Sequence, residues 1–482
     1  MSLRTGLAHR AARALERRDH PHAAAGLLRA LARGGSRDAV LLRALAAETA
    51  LRHGTVPDGL PRLRVALARQ ADAARYRGDA DEEARLLTRL AALTFHRVEH
   101  LDGAGSPLAE DPDGFLAPLR GSTAWQALTA PGTPAPRRRR GTGPLRVAVV
   151  VDADRRFLDP LLPHLGDDVE VRVVSLEGWD GPALPLTPGA QVRARLARSV
   201  EGEPWAVELT RRVGDVDVVW VEWCQRAAVL AGRLRLGDAP MVVRLHSFEA
   251  FTVFPHLVDA ARVDKLVTVS PAVAGLLGAV VPALGAKATV LPNAVDPAPF
   301  ARPKTAEAAT TLGVLGWGAP AKDAVWAADV LAALRRRDPR WRMRLIGPAP
   351  DERTAGSRAY AEAVRERLAR HDVVGAVDLV GPTEDVPAAL QHVGALVSSS
   401  TRESFHLAVA EAVASGARVA VRDWPTLSRY GGPRGVWPED WVVRTPEEAA
   451  ALLLSDAPRS AAPDWSPARV GAAARALLES LA

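Results

Sequence analysis

Leucine and alanine recur at three- and four-residue spacing through GLAHRAARAL, HAAAGLLRALA, AVLLRALAAETAL, RLRVALARQADAA and EEARLLTRLAAL, all within residues 3 to 98. That period puts apolar side chains on one helical stripe and predicts helices with no strands. RRDHPHAAAGLL and RGDADEEARLL echo each other, aligning Asp19 with Asp79, Ala24 with Ala84 and Leu27 with Leu87. An array of helical hairpins over 1–130 is expected. Residues 131–143, PGTPAPRRRRGTG, hold proline, glycine and the run Arg137 to Arg140, which reads as a linker.

From residue 144 the pattern changes. LRVAVVV, VEVRVVSL, VDVVWVEW, PMVVRLHS, KLVTVS and ATVLP are short β-branched runs separated by helical stretches. A second set begins near 311 with TLGVLGW, WRMRLIG, AVDLVG, ALVSSS, RVAVRD and WVV. Continuous apolar strands alternating with helices mean parallel sheets covered on both faces. The fold class is therefore α/β: two Rossmann-like domains, 144–300 and 301–465, facing across a cleft and preceded by an all-α domain. In such sheets ligands bind beyond the carboxyl ends of the strands. Residues 466–482, PARVGAAARALLESLA and its leading serine, are expected to form a helix returning to the first of these domains.

Composition narrows the class without naming a function. Of 482 residues 48% are hydrophobic and 24% charged, the ordinary range for globular protein. One cysteine, Cys224, excludes a disulfide framework and a four-cysteine zinc site. No uninterrupted apolar run reaches membrane-spanning length, and the N-terminus lacks a secretory apolar core, so a cytoplasmic protein is expected. Only Lys265, Lys287, Lys304 and Lys322 are lysines, so the net charge of +6 rests on arginine. Residues 1–143 carry 23 arginines against 15 acids. That surplus suits a solvated helical surface, with peripheral contact to an anionic membrane left open and no nucleic-acid partner expected.

The chemistry concentrates in loops after strands. In ALVSSSTRESFHLAVAEAVASGARVAV, residues 395–421, a strand ends at Ser398 to Ser400, a loop carries Thr401 to Ser404, and a helix runs to a cap at Gly416. Glu403 stands at the helix start and Glu411 eight residues on, about 12 Å along the axis. Amides of Phe405, His406 and Leu407 would point from the helix N-terminus at an anion. This layout suits a sugar nucleotide, the amides taking phosphate and the carboxylates taking ribose and sugar hydroxyls. Spacing alone decides nothing, because about one such glutamate pair arises by chance. Glu439 and Glu447 are a second pair without strand–loop–helix context.

In TLGVLGWGAPAKDAV a strand runs into Gly316, Trp317 and Gly318, with Lys322 in the first helical turn. A dinucleotide fingerprint would want an acid at the end of the next strand, and WRMRLIGPAP supplies none before Asp351. A glycine loop with a lysine still fits a pyrophosphate. In VVRLHSFEAFTVFPHL, His246 and Glu249 follow a strand; a histidine there bonds substrate, moves a proton, or simply holds a backbone carbonyl. LPNAVDPAPF suits a turn. Asp152 and Asp154 look like a metal pair but lack companion ligands. No Ser-His-Asp elbow, HExxH or CxxC motif occurs, so no metal site is expected.

Taken in order, RLHS at His246, VTVSP at Ser270, LPNAVD from Pro292 to Asp296, the Gly316–Lys322 loop, VGPTEDVPAAL from Gly381 and ESFHLAVAE from Glu403 to Glu411 resemble the retaining GT-B glycosyltransferases of the group-1 class (family four). The resemblance covers about residues 144–482. It implies a donor site in which Gly316, Trp317, Gly318 and Lys322 cradle a diphosphate and Glu411 holds the ribose. Glu403, with Arg402, Ser404 and the amides of Phe405, His406 and Leu407, would hold the sugar side. The Thr383–Val386 turn would border the base, and His246 would lie beside the transferring sugar. His246, Glu403 and Lys322 are the implied catalytic residues. The implied reaction is transfer from a nucleoside-diphosphate sugar with retention, without metal or further cofactor. The acceptor is left open among peptide, protein, natural product and carrier-linked glycan.

Three positions depart from the family. Trp317 stands where arginine is usual, and it either stacks on base or sugar or is merely packed; Arg402 could supply the missing charge. His406 replaces a frequent glycine. DADRRF, residues 152–157, replaces a glycine-rich loop, and Arg155 and Arg156 there either serve an anionic acceptor or are solvated. The N-terminal helices resemble tetratricopeptide repeats. A sugar-nucleotide epimerase and a non-catalytic adaptor on a decayed transferase module remain as alternatives.

Overall fold

The computed structural model describes residues 3–17, 20–32, 37–103, 105–133, 143–236 and 238–482. Its first part is helical: α1 (Leu3–Glu16), α2 (Pro21–Leu31), α3 (Arg37–Arg52), α4 (Leu60–Tyr76) and α5 (Ala80–Thr94), then short helices ending at Thr129. Asp79 starts α5 by accepting the Glu82 amide on its side chain, which satisfies one orphan N–H of the first turn. Leu67, Ala71 and Ala74 of α4 and Leu86, Leu87 and Leu90 of α5 are all buried, the stripes that the spacing required. Of the echoed positions, Ala24, Ala84 and Leu87 are buried and Leu27 is half-buried. Asp19 and the run Arg137 to Arg140 lie outside the described residues.

Every apolar run read from the second part is a strand. The first sheet holds β1 (Leu145–Val151), β2 (Val169–Ser175), β3 (Val218–Glu222), β4 (Met241–Leu245), β5 (Val263–Thr268) and β6 (Ala288–Val290), parallel, in the order β2-β1-β3-β4-β5-β6. The second holds β7 (Thr311–Leu315), β8 (Arg342–Ile346), β9 (Val377–Gly381), β10 (Ala395–Ser398), β11 (Arg418–Arg422) and β12 (Val442–Val443), parallel, in the order β12-β11-β10-β7-β8-β9. Two such sheets with their helices make the GT-B architecture. Strand order reverses between β1 and β3 and between β10 and β7, so a crevice opens at each point. The helix Pro467–Glu479 lays Val470, Ala474 and Leu478 against Val147, Val149 and Trp220 of the first sheet.

The helical part shares one apolar core with both sheets. Its Phe95 and Trp125 rings lie 4.7 and 5.7 Å from the His256 ring, and Arg120 donates to the Ala279 carbonyl at 2.6 Å. On the second domain, the Tyr430 hydroxyl donates to the Ala109 carbonyl at 3.0 Å and Arg429 donates to that of Glu110. The helices therefore bridge the two α/β domains. Among the described residues no helix is long and apolar enough to cross a membrane.

Candidate functional site

The loops after β7 and β10 meet at the switch point of the second sheet. Gly316 takes φ +70°, which only glycine adopts freely, and turns the chain out of β7. A Cβ on Gly318 would lie 2.5 Å from the Pro348 carbonyl oxygen, so only glycine fits that approach. The loop then makes a single 3₁₀ turn, Pro320–Lys322, and the helix proper begins only at Ala324. Lys322 thus sits before the helix rather than in its first turn. Asp323 explains the break: at φ +46° it caps the helix, its carboxylate accepting the Trp326 amide. Tyr360 locks the loop, its hydroxyl donating to the Trp317 carbonyl at 2.8 Å and accepting from the Ala324 amide at 2.9 Å. Tyr360→Phe is expected to cost about 1 kcal/mol of stability and to raise KM for a ligand of this loop. Thermal melting and a donor titration check it, and an unchanged KM would refute the positioning role.

Lys322 Nζ donates to Glu403 Oε1 at 2.5 Å, and Ser400 Oγ donates to the same oxygen at 2.7 Å. His406 Nε2 lies 3.6 Å from that oxygen, while its Nδ1 is 2.7 Å from Ser398 Oγ. Burial pushes the Glu403 carboxyl up, but the His406 ring when protonated and the Lys322 ammonium more than reverse it, leaving it at about 2. Burial, with Lys322 adding to it and Glu403 opposing, drops His406 to about 4, so its ring is neutral at pH 7. His406 takes φ +71° immediately before the helix Leu407–Ala414. A glycine is at ease in that conformation, and here the hydroxyl and carboxylate partners hold a histidine in it.

Three loop residues, 404–406, separate Glu403 from this helix, which Leu407 opens. Phe405 faces inward against Trp437, whose indole N–H donates to the Phe405 carbonyl. Ser404, between Glu403 and Phe405, is half-buried. Glu411 is half-buried on the helix, and burial raises its carboxyl; among the described residues its side chain makes no hydrogen bond or ion pair. Thr383, in the turn after β9, accepts the Asp385 amide on its hydroxyl at 3.2 Å. The decoy pair is spent on the surface, Glu439 on Arg434 and Glu447 on Arg336.

Of the alternatives left open for Trp317 the structure shows packing, and Arg402 is engaged away from the glycine loop. Trp317 packs into the core of the second domain, and its indole donates to the Gly347 carbonyl at 3.1 Å. Gly316 and Gly318 line the adjoining cavity, and the Trp317 side chain turns away from it because the loop reverses at Gly316. Arg402 is buried and donates to the carbonyls of Gly103 and Leu101 in the helical part, with its guanidinium 5.8 Å from the Phe251 ring. Burial lowers it to about 10, and it is committed to an interdomain clamp rather than to a ligand.

His246 lies apart from this cluster, after β4 on the first sheet. Its ring stands 4.2 Å from that of Trp223 and 4.7 Å from that of Phe157, and both ring nitrogens are buried without a hydrogen-bond partner. Glu249 accepts the His246 amide, so it fixes the backbone. Trp223 carries φ +69°, an uncommon strain for a bulky residue, and its indole donates to the Asp154 carbonyl. Buried Arg244 donates to the Phe157 carbonyl and to Asn293, beside Glu222. The loop 152–157 is thereby pinned at both ends. Asp152 accepts from Arg226 and the Ala227 amide, while Arg155 and Arg156 pair with Asp159 and Asp154.

Tyr360, Trp223 and Phe157 escaped the sequence reading as site residues, and Ser398 and Ser400 entered it only as a strand end. The run of three serines at and just after the end of β10 was the available signal, since a strand's carboxyl end borders the crevice.

No curated protein sequence matches the chain. Among solved structures, Anabaena HepE in complex with UDP aligns with 13% identity and a TM-score of 0.47, covering 70% of this chain and all of that one. A UDP-forming α,α-trehalose-phosphate synthase from Burkholderia xenovorans gives 13% and 0.45, covering 70% and 95%. A glycosyltransferase from Rickettsia africae gives 14% and 0.44, covering 70% and 94%. Residues 309–454, the stretch that carries the glycine loop, Lys322, Glu403 and Glu411, match the sequence family described as glycosyl transferases, group 1.

Proposed function

We propose that the chain is a retaining, metal-independent glycosyltransferase that moves a sugar from a nucleoside-diphosphate sugar to an acceptor. The observation that carries this reading is the meeting of Lys322 and Glu403 at the β7–β10 crevice, within the stretch that matches the family. The ion pair keeps the Glu403 carboxylate ionised before substrate arrives. An incoming diphosphate competes for Lys322 and frees Glu403 to accept sugar hydroxyls. As the sugar–phosphate bond breaks, negative charge grows on the leaving phosphate. Lys322 and the amides opening the helix Leu407–Ala414 stabilise it where it develops. Glu411, half-buried and unpartnered, is suited to accept ribose hydroxyls, which repay its desolvation.

A thermal-shift series with UDP, GDP, ADP, TDP and CDP tests the reading. One nucleoside diphosphate is expected to raise the melting temperature selectively, and Glu411→Ala is expected to weaken that ligand about tenfold or more, the loss of a charge-assisted hydrogen bond. No shift with any of them would favour a scaffold without donor binding.

A further inference from the structure

Above the glycine loop lies a cavity of about 800 Å³ that the second domain does not close by itself. One wall holds Gly316, Gly318 and Lys322 with Asp351 and Arg353 after β8; the facing wall is helical, with Arg52 and Arg97. Each arginine is paired with a carboxylate, Arg52 with Glu16, Arg97 with Asp102 and Arg353 with Asp351. The side chains of Arg52, Arg97 and Arg353 are 41%, 72% and 86% exposed. Glu16 and Asp102, which pair with the first two, are 8% and 10% exposed. Arg52, Arg97, Lys322 and Arg353 line the space against the carboxylates of Asp102 and Asp351, and a volume lined with more cations than carboxylates is complementary to an oxyanion.

The helical wall is held in register with the reaction centre. Arg402, next to Glu403, clasps the carbonyls on either side of Asp102. Arg97 pairs with Asp102 at 2.8 Å, so the clasp also sets where Arg97 stands.

We propose that this cavity binds the acceptor and that the acceptor carries a phosphate or a like oxyanion, held by Arg52 and Arg97 of the helical part and Arg353 of the second domain. The inference rests on the donor reading, which assigns the Lys322 end to the sugar nucleotide. The helices then serve as a wall of the acceptor site. An acceptor seated there brings its nucleophile toward Lys322 and Glu403 while its anion stays about a cavity's length away.

The test uses the full chain and inorganic phosphate as the probe, with chloride matching ionic strength. Protein saturated with its preferred nucleoside diphosphate is expected to show a further, saturable rise in melting temperature with phosphate. In the double variant Arg52→Gln, Arg97→Gln, the phosphate affinity is expected to fall at least tenfold. Arg353→Gln, at the most exposed of the three, gives an independent reading in a chain certain of its fold. The Arg353 pair is exposed on both sides, so its loss costs little stability, whereas the double variant takes partners from buried Glu16 and Asp102 and is compared with the parent chain by its melting temperature without ligand. Absence of the second rise, or its persistence in both variants, overturns the inference. If no nucleoside diphosphate binds, the donor reading fails by that observation, and phosphate is titrated alone. Loss of its shift in Lys322→Ala with retention in the arginine variants would place the phosphate in the diphosphate position and overturn the inference too.

Discussion

Lys322→Ala is expected to lower kcat/KM for sugar transfer by about 10²–10³, with the larger part in kcat. The ammonium is the one lysine charge at the crevice, and neither Trp317 nor Arg402 can replace it: the first is packed in the core and the second is clasped to the helical part. In the variant Glu403 keeps only the Ser400 hydroxyl at Oε1, with neutral His406 at 3.6 Å, so burial raises its carboxyl toward the ordinary range. Both the leaving-group charge and the ionised sugar-side carboxylate suffer together. Steady-state kinetics with the donor identified by thermal shift checks this. A variant with normal kcat and raised KM would mean that Lys322 binds ground state and transition state alike, and the mechanism would need another group at the leaving phosphate.

Acidification from pH 6.5 to 4 is expected to remove several kcal/mol of stability. Burial holds His100 and His406 at about 4 and His256 at about 3, against an ordinary value of 6.5. The folded chain keeps these rings neutral while the unfolded chain protonates them below 6.5. The unfolded state then binds more protons, and stability falls with pH across that window. Each ring contributes about 3 kcal/mol of this loss by pH 4. Glu403 acts lower: its stabilisation is present above 4.5 and is lost as pH falls toward 2. His256 lies between Phe95 and Trp125, and His100 lies against Phe115 and Phe251, so two of the three rings sit where the helical part meets the first sheet. Melting curves from pH 8 to 4, followed by tryptophan emission and by circular dichroism, should show the helical interface loosening on the acid side. A melting temperature flat down to pH 4.5 would contradict the assignment of three neutral buried rings.

The central strands were legible because a strand covered on both faces must be apolar without interruption, while β2 and β9 at the side of each sheet carry Glu170, Arg172 and Asp378 and were legible by their remaining valines and leucine. The grouping of Lys322 with Glu403 is a product of sheet order: residues 81 apart meet because β7 and β10 are neighbours. Side-chain direction was less legible. Whether Trp317 faces ligand or core depends on the turn at Gly316, and the acceptor of its indole is a backbone carbonyl, which leaves no trace in the alphabet of side chains. Arg402 shows the same limit at longer range, since its partners are carbonyls some 300 residues earlier. His406 was legible as a departure from glycine, but the serine and glutamate that stabilise it become visible only once the strand end and loop fold together.

The bridge made by the helices bears on how such a chain can be rearranged by recombination. A module attached by a linker alone can be exchanged for another without disturbing its host. Here the exchange would strip cover from Phe251, His256 and Leu257 on one domain and leave Arg402 and Tyr430 facing solvent on the other. Exchange of the helical part is therefore expected to need matching changes on the faces that Phe95, Trp125 and Ala109 cover.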